Sequence, residues 1–210
     1  MAIEVERLLV GVIVTNSYLV RCSADGEAVV IDPGADGDKI LAVAQEKGLR
    51  LRYIINTHGH GDHIGANAYI KERTGASILI HSADAQMLVS ARENLSAWMS
   101  KGITSLPADR LLAAGDEIIC GEVTFKVLAT PGHTPGSISL AAPGLVFTGD
   151  ALFKESIGRT DFPKGSLNEL LTGVRNNLFT LPEDTIVYPG HGPATTIGYE
   201  RKYNPFFLPG

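Results

Sequence analysis

Three histidines and an aspartate fall within six consecutive residues, in the run His58-Gly59-His60-Gly61-Asp62-His63. Half of the chain's six histidines lie in this run, directly after an apolar segment at 53–56 that is typical of a short buried strand. Imidazole and carboxylate groups are ligands that borderline divalent metals prefer. The intervening glycines allow sharp turns and close backbone approach. The run therefore permits a tight turn at a strand end, and it predicts a metal site there.

Three further ligand candidates each follow a predicted strand and lie beside a glycine: His133, Asp150 and His191. Taken alone, a histidine or aspartate in such a turn is more often a turn former or a helix cap. Strand ends that meet at one edge of a sheet can, however, direct such side chains at a common centre. With the histidine run, five histidines and two aspartates suffice for two metals that share a bridging carboxylate. His81 also ends a predicted strand, but no ligand motif surrounds it, and we expect a structural role.

Strand and helix signals alternate along the chain and predict mixed α/β layers, with helices covering the sheet faces. The predicted strands are 8–14, 18–21, 28–31, 53–56, 77–81, 117–119, 123–128, 137–141, 145–148 and 185–188. The predicted helices are 38–47, 64–74, 82–99 and one that starts at Ser166, where Glu169 completes a capping-box pattern. On that last helix the residues expected on one apolar face are Leu167, Leu170, Leu171, Val174 and Leu178. No repeat or linker divides the sequence, which predicts a single domain over residues 1–210.

Composition limits the classes of partner and compartment. The net charge is −5 and no run of lysine or arginine occurs, which argues against nucleic acid or an anionic membrane as partner. The first apolar segment follows Glu4 and Glu6, where a signal peptide would carry positive charge, and it is too short for a spanning helix. Cys22 and Cys120 are the only cysteines, which favours a reducing, cytoplasmic location over a disulfide framework. Nothing in the sequence indicates an oligomeric state.

With these residues in hand, the chain strongly resembles the metallo-β-lactamase superfamily, from Asn16-Ser17-Tyr18-Leu19 and Ile31-Asp32-Pro33-Gly34 through to His191. The resemblance implies a four-layer αβ/βα sandwich, in which helices flank two mixed β-sheets and a metal site lies at one edge between them. It implies two divalent ions, with zinc expected first and iron or manganese as alternatives. The implied ligands are His58, His60 and His133 for the first ion, Asp62, His63 and His191 for the second, and Asp150 as the bridge. Asp32 matches a position where a carboxylate orients a ligand.

Within that superfamily the sequence is most similar to single-domain bacterial glyoxalase II-like hydrolases, through the segments at 156–163 and 200–206. This implies hydrolysis of S-lactoylglutathione or a related 2-hydroxyacyl thioester by a metal-bridged hydroxide, with Asp62 and Asp150 as the catalytic carboxylates. Longer glyoxalase II enzymes add a C-terminal helical domain that contacts glutathione, and we expect none here because the sequence stops soon after His191. Arg159 and Lys164 are candidate substrate-binding cations. A solvated surface charge is an equally good interpretation of each.

The sequence leaves three alternative functions open. The phrase Gly158-Arg159-Thr160-Asp161-Phe162 also resembles persulfide dioxygenases, which use a single iron ion, and lactonases belong to the same superfamily. A purely structural metal site is the non-enzymatic alternative. Structural zinc sites are usually closed by four ligands, often cysteines, whereas seven histidines and aspartates leave room for a reactive water.

Overall fold

Two six-stranded sheets form the centre of the protein, in a computed structural model that describes residues 3–98 and 101–208. The first sheet comprises β1 (Glu4–Val10), β2 (Thr15–Arg21), β3 (Glu27–Ile31), β4 (Arg50–Ile55), β5 (Ser77–His81) and β6 (Arg110–Leu112), in that spatial order. Its first three strands are antiparallel neighbours, and β3 to β6 run parallel.

The second sheet is also mixed. It comprises β7 (Glu117–Cys120), β8 (Val123–Ala129), β9 (Ile138–Ala142), β10 (Leu145–Gly149), β11 (Ile186–Pro189) and β12 (Thr195–Thr196), again adjacent in chain order. Strands β10 and β11 are parallel, and the other pairs are antiparallel.

Six α-helices lie outside the sheets or in the loops that follow their strands, within the described ranges. They are α1 (Gly37–Glu46), α2 (Gly61–Ile64), α3 (Asn67–Thr74), α4 (Ala85–Val89), α5 (Leu167–Gly173) and α6 (Ile197–Tyr203). Short 3₁₀ turns cover Ser82–Asp84 and Ser96–Trp98, and α5 continues directly into a π-helical turn at Val174–Leu178. No helix among the described residues is long and apolar enough to cross a membrane.

Side-chain alternation along the strands creates three apolar layers. In β3, Val29 and Ile31 face the second sheet and join the same buried cluster as Phe147. Val30, between them, faces the other way and joins a cluster that includes Ile40 of α1. A third cluster, on the outer face of the second sheet, contains Val146, Val187, Leu170, Val174 and Leu178. This arrangement is the expected four-layer αβ/βα sandwich.

Two predicted helices differ from those observed. The helix expected at 64–74 is divided between α2 and α3, because Ala66 N donates to Pro33 O and Gly65 packs closely against Gly34 O. The helix expected at 82–99 is reduced to α4 with a 3₁₀ turn on either side, and its last residue lies outside the described residues. Asn94 interrupts it, since its side-chain amide donates to the backbone carbonyls of Met87 and Ile103.

Other boundaries need smaller corrections. The strand expected at 8–14 begins earlier and ends at Val10, because Gly11 and Val14 adopt positive φ angles of 67° and 61° in the turn to β2. Strands β6 and β12 and helix α6 were not predicted. Ser166 caps the start of α5 as predicted, since its hydroxyl accepts a hydrogen bond from Glu169 N. The reciprocal half of the predicted capping box does not form, because Ser166 N donates to Gly132 O instead of to the Glu169 side chain. Leu167, expected on the buried face of that helix, is exposed.

Candidate metal centre

The carboxyl ends of five strands meet at one edge of the sandwich. Asp32 directly follows β3, and the histidine run follows β4 in the first sheet. His133, Asp150 and His191 follow β8, β10 and β11 in the second sheet. Backbone hydrogen bonds join the sheets here, from Ile138 N to Thr57 O at 2.9 Å and from Asn16 N to Gly190 O at 2.7 Å. All of the sequence-predicted ligands therefore arrive at the same place.

One group of side chains consists of His58, His60 and His133, whose candidate ligand atoms all lie within 4.8 Å of one another. The closest pair is His60 Nδ1 and His133 Nε2, 2.8 Å apart. His58 and His133 each have their other ring nitrogen occupied: His58 Nδ1 lies 3.2 Å from Thr57 Oγ1, and His133 Nδ1 lies 2.7 Å from Arg159 O. Both rings therefore direct Nε2 toward the shared centre.

A second group consists of Asp62, His63 and His191. His191 Nε2 lies 3.3 Å from both Asp62 Oδ2 and His63 Nε2. The opposite nitrogen of His63, Nδ1, lies 3.1 Å from Asp32 Oδ2. The two carboxylate oxygens of Asp32 also accept hydrogen bonds from the backbone amide and the hydroxyl of Thr57, so both oxygens are occupied by protein donors. Asp32 thus orients His63 rather than facing the centre itself, as expected for a supporting carboxylate.

Asp150 lies between the two groups. Its Oδ2 is 3.5 Å from His133 Nε2, and its Oδ1 is 3.5 Å from His63 Nε2. The distance from Oδ2 to His191 Nε2 is 3.7 Å. Oδ2 therefore lies between His133 of the first group and His191 of the second, and Oδ1 faces His63, so the carboxylate is placed to contact both groups as a bridging ligand must.

Two buried polar atoms in this cluster have no hydrogen-bond partner among the described residues: His58 Nε2 and Asp150 Oδ1. An unpaired buried acceptor is costly, and in native proteins it usually indicates an ion or an ordered water. The donor set, imidazole nitrogens with carboxylate oxygens, suits zinc, iron and manganese. The residues present therefore fit a pair of divalent cations, one in each group.

The electrostatics of the protein groups agree with that fit. Burial, together with the neighbouring imidazoles, lowers the pKa of His58 well below its usual value. Burial and His133 similarly lower the pKa of His60 to about 3, so both rings stay neutral with lone pairs free. In the second group, burial opposes protonation, but Asp62, Asp150 and Asp32 together raise the pKa of His63 to about 10. Excess negative charge in the second group thus favours a cation there.

Position 190 requires glycine because the side chains of Asp150 and His63 lie too close to leave room for a Cβ. A Cβ at Gly190 would overlap Asp150 Oδ1 and lie 2.8 Å from His63 Cε1. We expect Gly190→Ala to weaken metal binding by roughly tenfold to a hundredfold, since displaced ligands lose their geometry.

Gly192→Ala is the matched control for this substitution. Gly192 also lies beside His191, but a Cβ there would have no atom within 4 Å. Its φ of 76° strains an alanine without displacing any ligand. Metal titration by calorimetry measures both variants, and a Gly190→Ala protein that binds metal like the wild type would contradict this packing argument.

Asp84 is a supporting residue that the sequence did not reveal. It is fully buried. It joins the two ligand loops, namely the loop that carries His60 and the loop that carries His133. Its Oδ2 accepts from Gly59 N and from the Thr134 hydroxyl, and its Oδ1 accepts from Gly136 N, 2.7 Å away. The partners lie 25 to 52 residues away along the chain, so no local pattern could have identified this role.

Replacing Asp84 by asparagine is expected to destabilise the fold by about 1–3 kcal/mol, because an amide NH₂ must face one of these donors. Chemical denaturation of the variant measures the change. Asp116→Asn is the control, since the Asp116 carboxylate accepts from Ala113 N in an exposed turn. Equal losses for the two variants would show that Asp84 does not join the loops.

A pocket of about 270 Å³ opens beside His60 and lies next to the ligand cluster. Lys164 lines it and forms an ion pair with Glu93, with 2.8 Å between Nζ and Oε2. Arg159 does not line it. The guanidinium of Arg159 is held by Asp161 and stacks over the Phe162 ring, while its backbone carbonyl contacts His133. The two sequence-predicted cations thus separate: Lys164 faces a pocket, and Arg159 orients a ligand through its main chain.

His81 lies outside both ligand groups, and its Nδ1 accepts a hydrogen bond from Ala83 N. The side chain caps the 3₁₀ turn that follows β5. This contact agrees with the structural role expected for it.

Comparison with known protein sequences gives matches over almost the full length. The chain is 40% identical over 204 residues to the probable metallo-hydrolase YqgX of Bacillus subtilis, covering 95% of each chain. It is 34% identical over 203 residues to the hydroxyacylglutathione hydrolase GloC of Haemophilus influenzae, covering 93% of this chain and 96% of GloC.

Solved structures give the same result. The BLEG-1 B3 metallo-β-lactamase superimposes with a TM-score of 0.94 at 38% identity, covering 98% of this chain and all of that one. TTHA1623, solved in a di-iron-bound form, gives a TM-score of 0.85 at 37% identity, covering 96% and 99%. A family model described as the metallo-beta-lactamase superfamily matches residues 10–191, a range that contains every ligand candidate. The chain belongs to the metallo-β-lactamase superfamily of metal-dependent hydrolases.

Proposed function

We propose that the protein is a thioester hydrolase of the glyoxalase II type, acting on S-lactoylglutathione or a related 2-hydroxyacyl thioester. The observation that carries this proposal is the pair of ligand groups with Asp150 between them, beside a pocket that His60 lines. The similarity to GloC, a hydroxyacylglutathione hydrolase, supports the choice of substrate.

In this proposal His58, His60 and His133 would hold the first cation, Asp62, His63 and His191 would hold the second, and Asp150 would be a ligand of both. When bound, the cations supply a water of lowered pKa and positive charge for the developing oxyanion. Zinc is the proposed metal, and iron is the alternative because TTHA1623 was solved with two iron ions.

The protein's own groups fix the geometry of this chemistry. Asp32 sets the orientation of His63, and the Arg159 carbonyl sets that of His133. The Thr15 hydroxyl lies 3.3 Å from Asp62 Oδ2, where it can donate a hydrogen bond and steady the carboxylate. Such preorganisation lowers the barrier because no group has to reorient during the reaction. A thiolate leaves readily near neutral pH, so the reaction needs no protein acid at the leaving group.

Parallel assays on the metal-loaded protein test this function. S-lactoylglutathione should be cleaved with release of free thiol and without oxygen uptake. Oxygen consumption with glutathione persulfide would instead indicate a dioxygenase, and turnover restricted to lactones would indicate a lactonase. Metal retention with no turnover of any ester, thioester or lactone would support a structural site.

A second candidate function is β-lactam hydrolysis, which the close superposition on the BLEG-1 B3 metallo-β-lactamase favours. The same ligand groups could support hydrolysis of the β-lactam amide bond. An amine is, however, a poorer leaving group than a thiolate and needs a proton. A chromogenic cephalosporin distinguishes the two functions. A kcat/KM for the cephalosporin that exceeds the value for S-lactoylglutathione would reverse the assignment.

A further inference from the structure

The pocket beside His60 combines apolar walls with charges of both signs. Met87, Leu95, Trp98 and Pro163 supply apolar surface, while His60 connects the pocket to the ligand cluster. Aliphatic and aromatic walls of this kind suit the body of a small ligand, and a few polar groups then set its orientation. A thioester whose carbonyl lies at the metal ligands would place its thiol portion in this space.

Four charged side chains line the same pocket: Arg92, Lys164, Glu93 and Asp84. The only ion pair among them within the described residues joins Lys164 Nζ to Glu93 Oε2, at 2.8 Å. The oxygens of Asp84 already accept three hydrogen bonds, from Gly59 N, the Thr134 hydroxyl and Gly136 N. Two cations and two carboxylates therefore balance in this wall, and Glu93 is the carboxylate that holds Lys164.

This ion pair is suited to exchange. The Lys164 side chain is 66% exposed and that of Glu93 is 40% exposed, so water screens their attraction. Exposed pairs of this kind contribute little net free energy. A ligand carboxylate presents the same oxygen chemistry to Lys164 as Glu93 does, and it can replace Glu93 at small cost.

We propose that Glu93 is a specificity-determining residue that competes with the carboxylate of the substrate's thiol portion for Lys164. The ion pair then sets how strongly the pocket prefers an anionic thiol portion over a neutral one. This inference rests on the proposed function, because it assigns the pocket to the thiol side of a thioester.

Removing the competitor and removing the cation have opposite expected effects on carboxylate binding. Glu93→Gln should tighten binding of S-methylglutathione, a ligand that cannot be hydrolysed, by about threefold. Lys164→Met should weaken it by about tenfold, because a hydrogen bond to a charged group is lost. The double variant should behave like Lys164→Met, since without the lysine there is nothing to compete for.

Calorimetry on the metal-loaded protein should compare S-methylglutathione with its diethyl ester, which keeps the peptide body but has no carboxylate. We expect the affinity for the ester to change less than about twofold in every variant. Glu6→Gln is the matched control: Glu6 forms a similarly exposed pair with Lys47 at 3.0 Å, and the substitution changes the net charge equally. Its affinity for both ligands should equal that of the wild type.

Unchanged affinity of Glu93→Gln for S-methylglutathione would overturn the inference, as would equal shifts for the acid and the ester. Turnover of S-lactoylglutathione is measured separately from ligand binding. If the wild type hydrolyses no thioester, the proposed function fails while these binding measurements still decide the role of Glu93. If thioesters are hydrolysed, the same variants should change KM for S-lactoylglutathione in the same directions, with kcat nearly constant.

Discussion

Replacing Asp150 by alanine is expected to lower thioester hydrolysis by about 10³-fold or more, while the sandwich stays folded. The carboxylate lies 3.5 Å from ligand nitrogens of both groups, so its loss removes the side chain that lies between them. Two cations would then lie close together without the negative charge that offsets their repulsion. Circular dichroism and turnover should be measured on the same preparation after metal reconstitution.

The matched control for this substitution is Asp25→Ala, which removes a carboxylate from an exposed ion pair with Arg50. Turnover of that variant should equal that of the wild type. A metal-loaded Asp150→Ala protein that retains near-normal turnover would show that Asp150 does not have the bridging role.

Removal of bound metal should lower the unfolding temperature by roughly 10 °C. An ion present at about a thousand times its dissociation constant stabilises a folded protein by about 4 kcal/mol. The physical reason here is the concentration of partly compensated groups at one edge, above all the buried Asp150 Oδ1 and His58 Nε2. Differential scanning calorimetry before and after chelation measures the shift, and added zinc should restore it.

Gly190→Ala provides the internal comparison for this experiment, because its ligands are expected to bind metal poorly. Chelation should change its unfolding temperature less than that of the wild type. If elemental analysis shows complete metal loss from the wild type and its unfolding temperature does not fall, the cluster does not depend on metal for its stability.

The mixed α/β layers and the convergence of the ligands were predictable because both follow from local patterns, whereas the four-layer sandwich was implied by the resemblance to the superfamily. Alternation within 28–31 sorts Val29, Val30 and Ile31 to opposite sheet faces, as the structure shows. Candidate ligands placed at strand ends could be expected to meet, since parallel strands in a sheet share one carboxyl edge. The candidates in the second sheet do so, although they come from three different loops: His133, Asp150 and His191.

Features set by particular side-chain hydrogen bonds were not predictable. The helix expected at 82–99 fails because the Asn94 side chain donates to the carbonyls of Met87 and Ile103, seven and nine residues away, and Leu95 adopts a φ of 64°. Helix propensity gives no information about either of these hydrogen bonds. Asp84 and Glu93 gain their importance only from residues far away along the chain, such as Gly136 and Lys164. Tertiary hydrogen bonds decided these cases, and a single sequence does not contain them.

Anomalous diffraction from crystals of the metal-loaded protein tests the central claim, a two-metal centre built from seven ligands, most directly. We predict two peaks, one among His58, His60 and His133 and one among Asp62, His63 and His191, with Asp150 in contact with both. A single peak under metal excess, with His63 and His191 turned away from it, would contradict the two-metal centre.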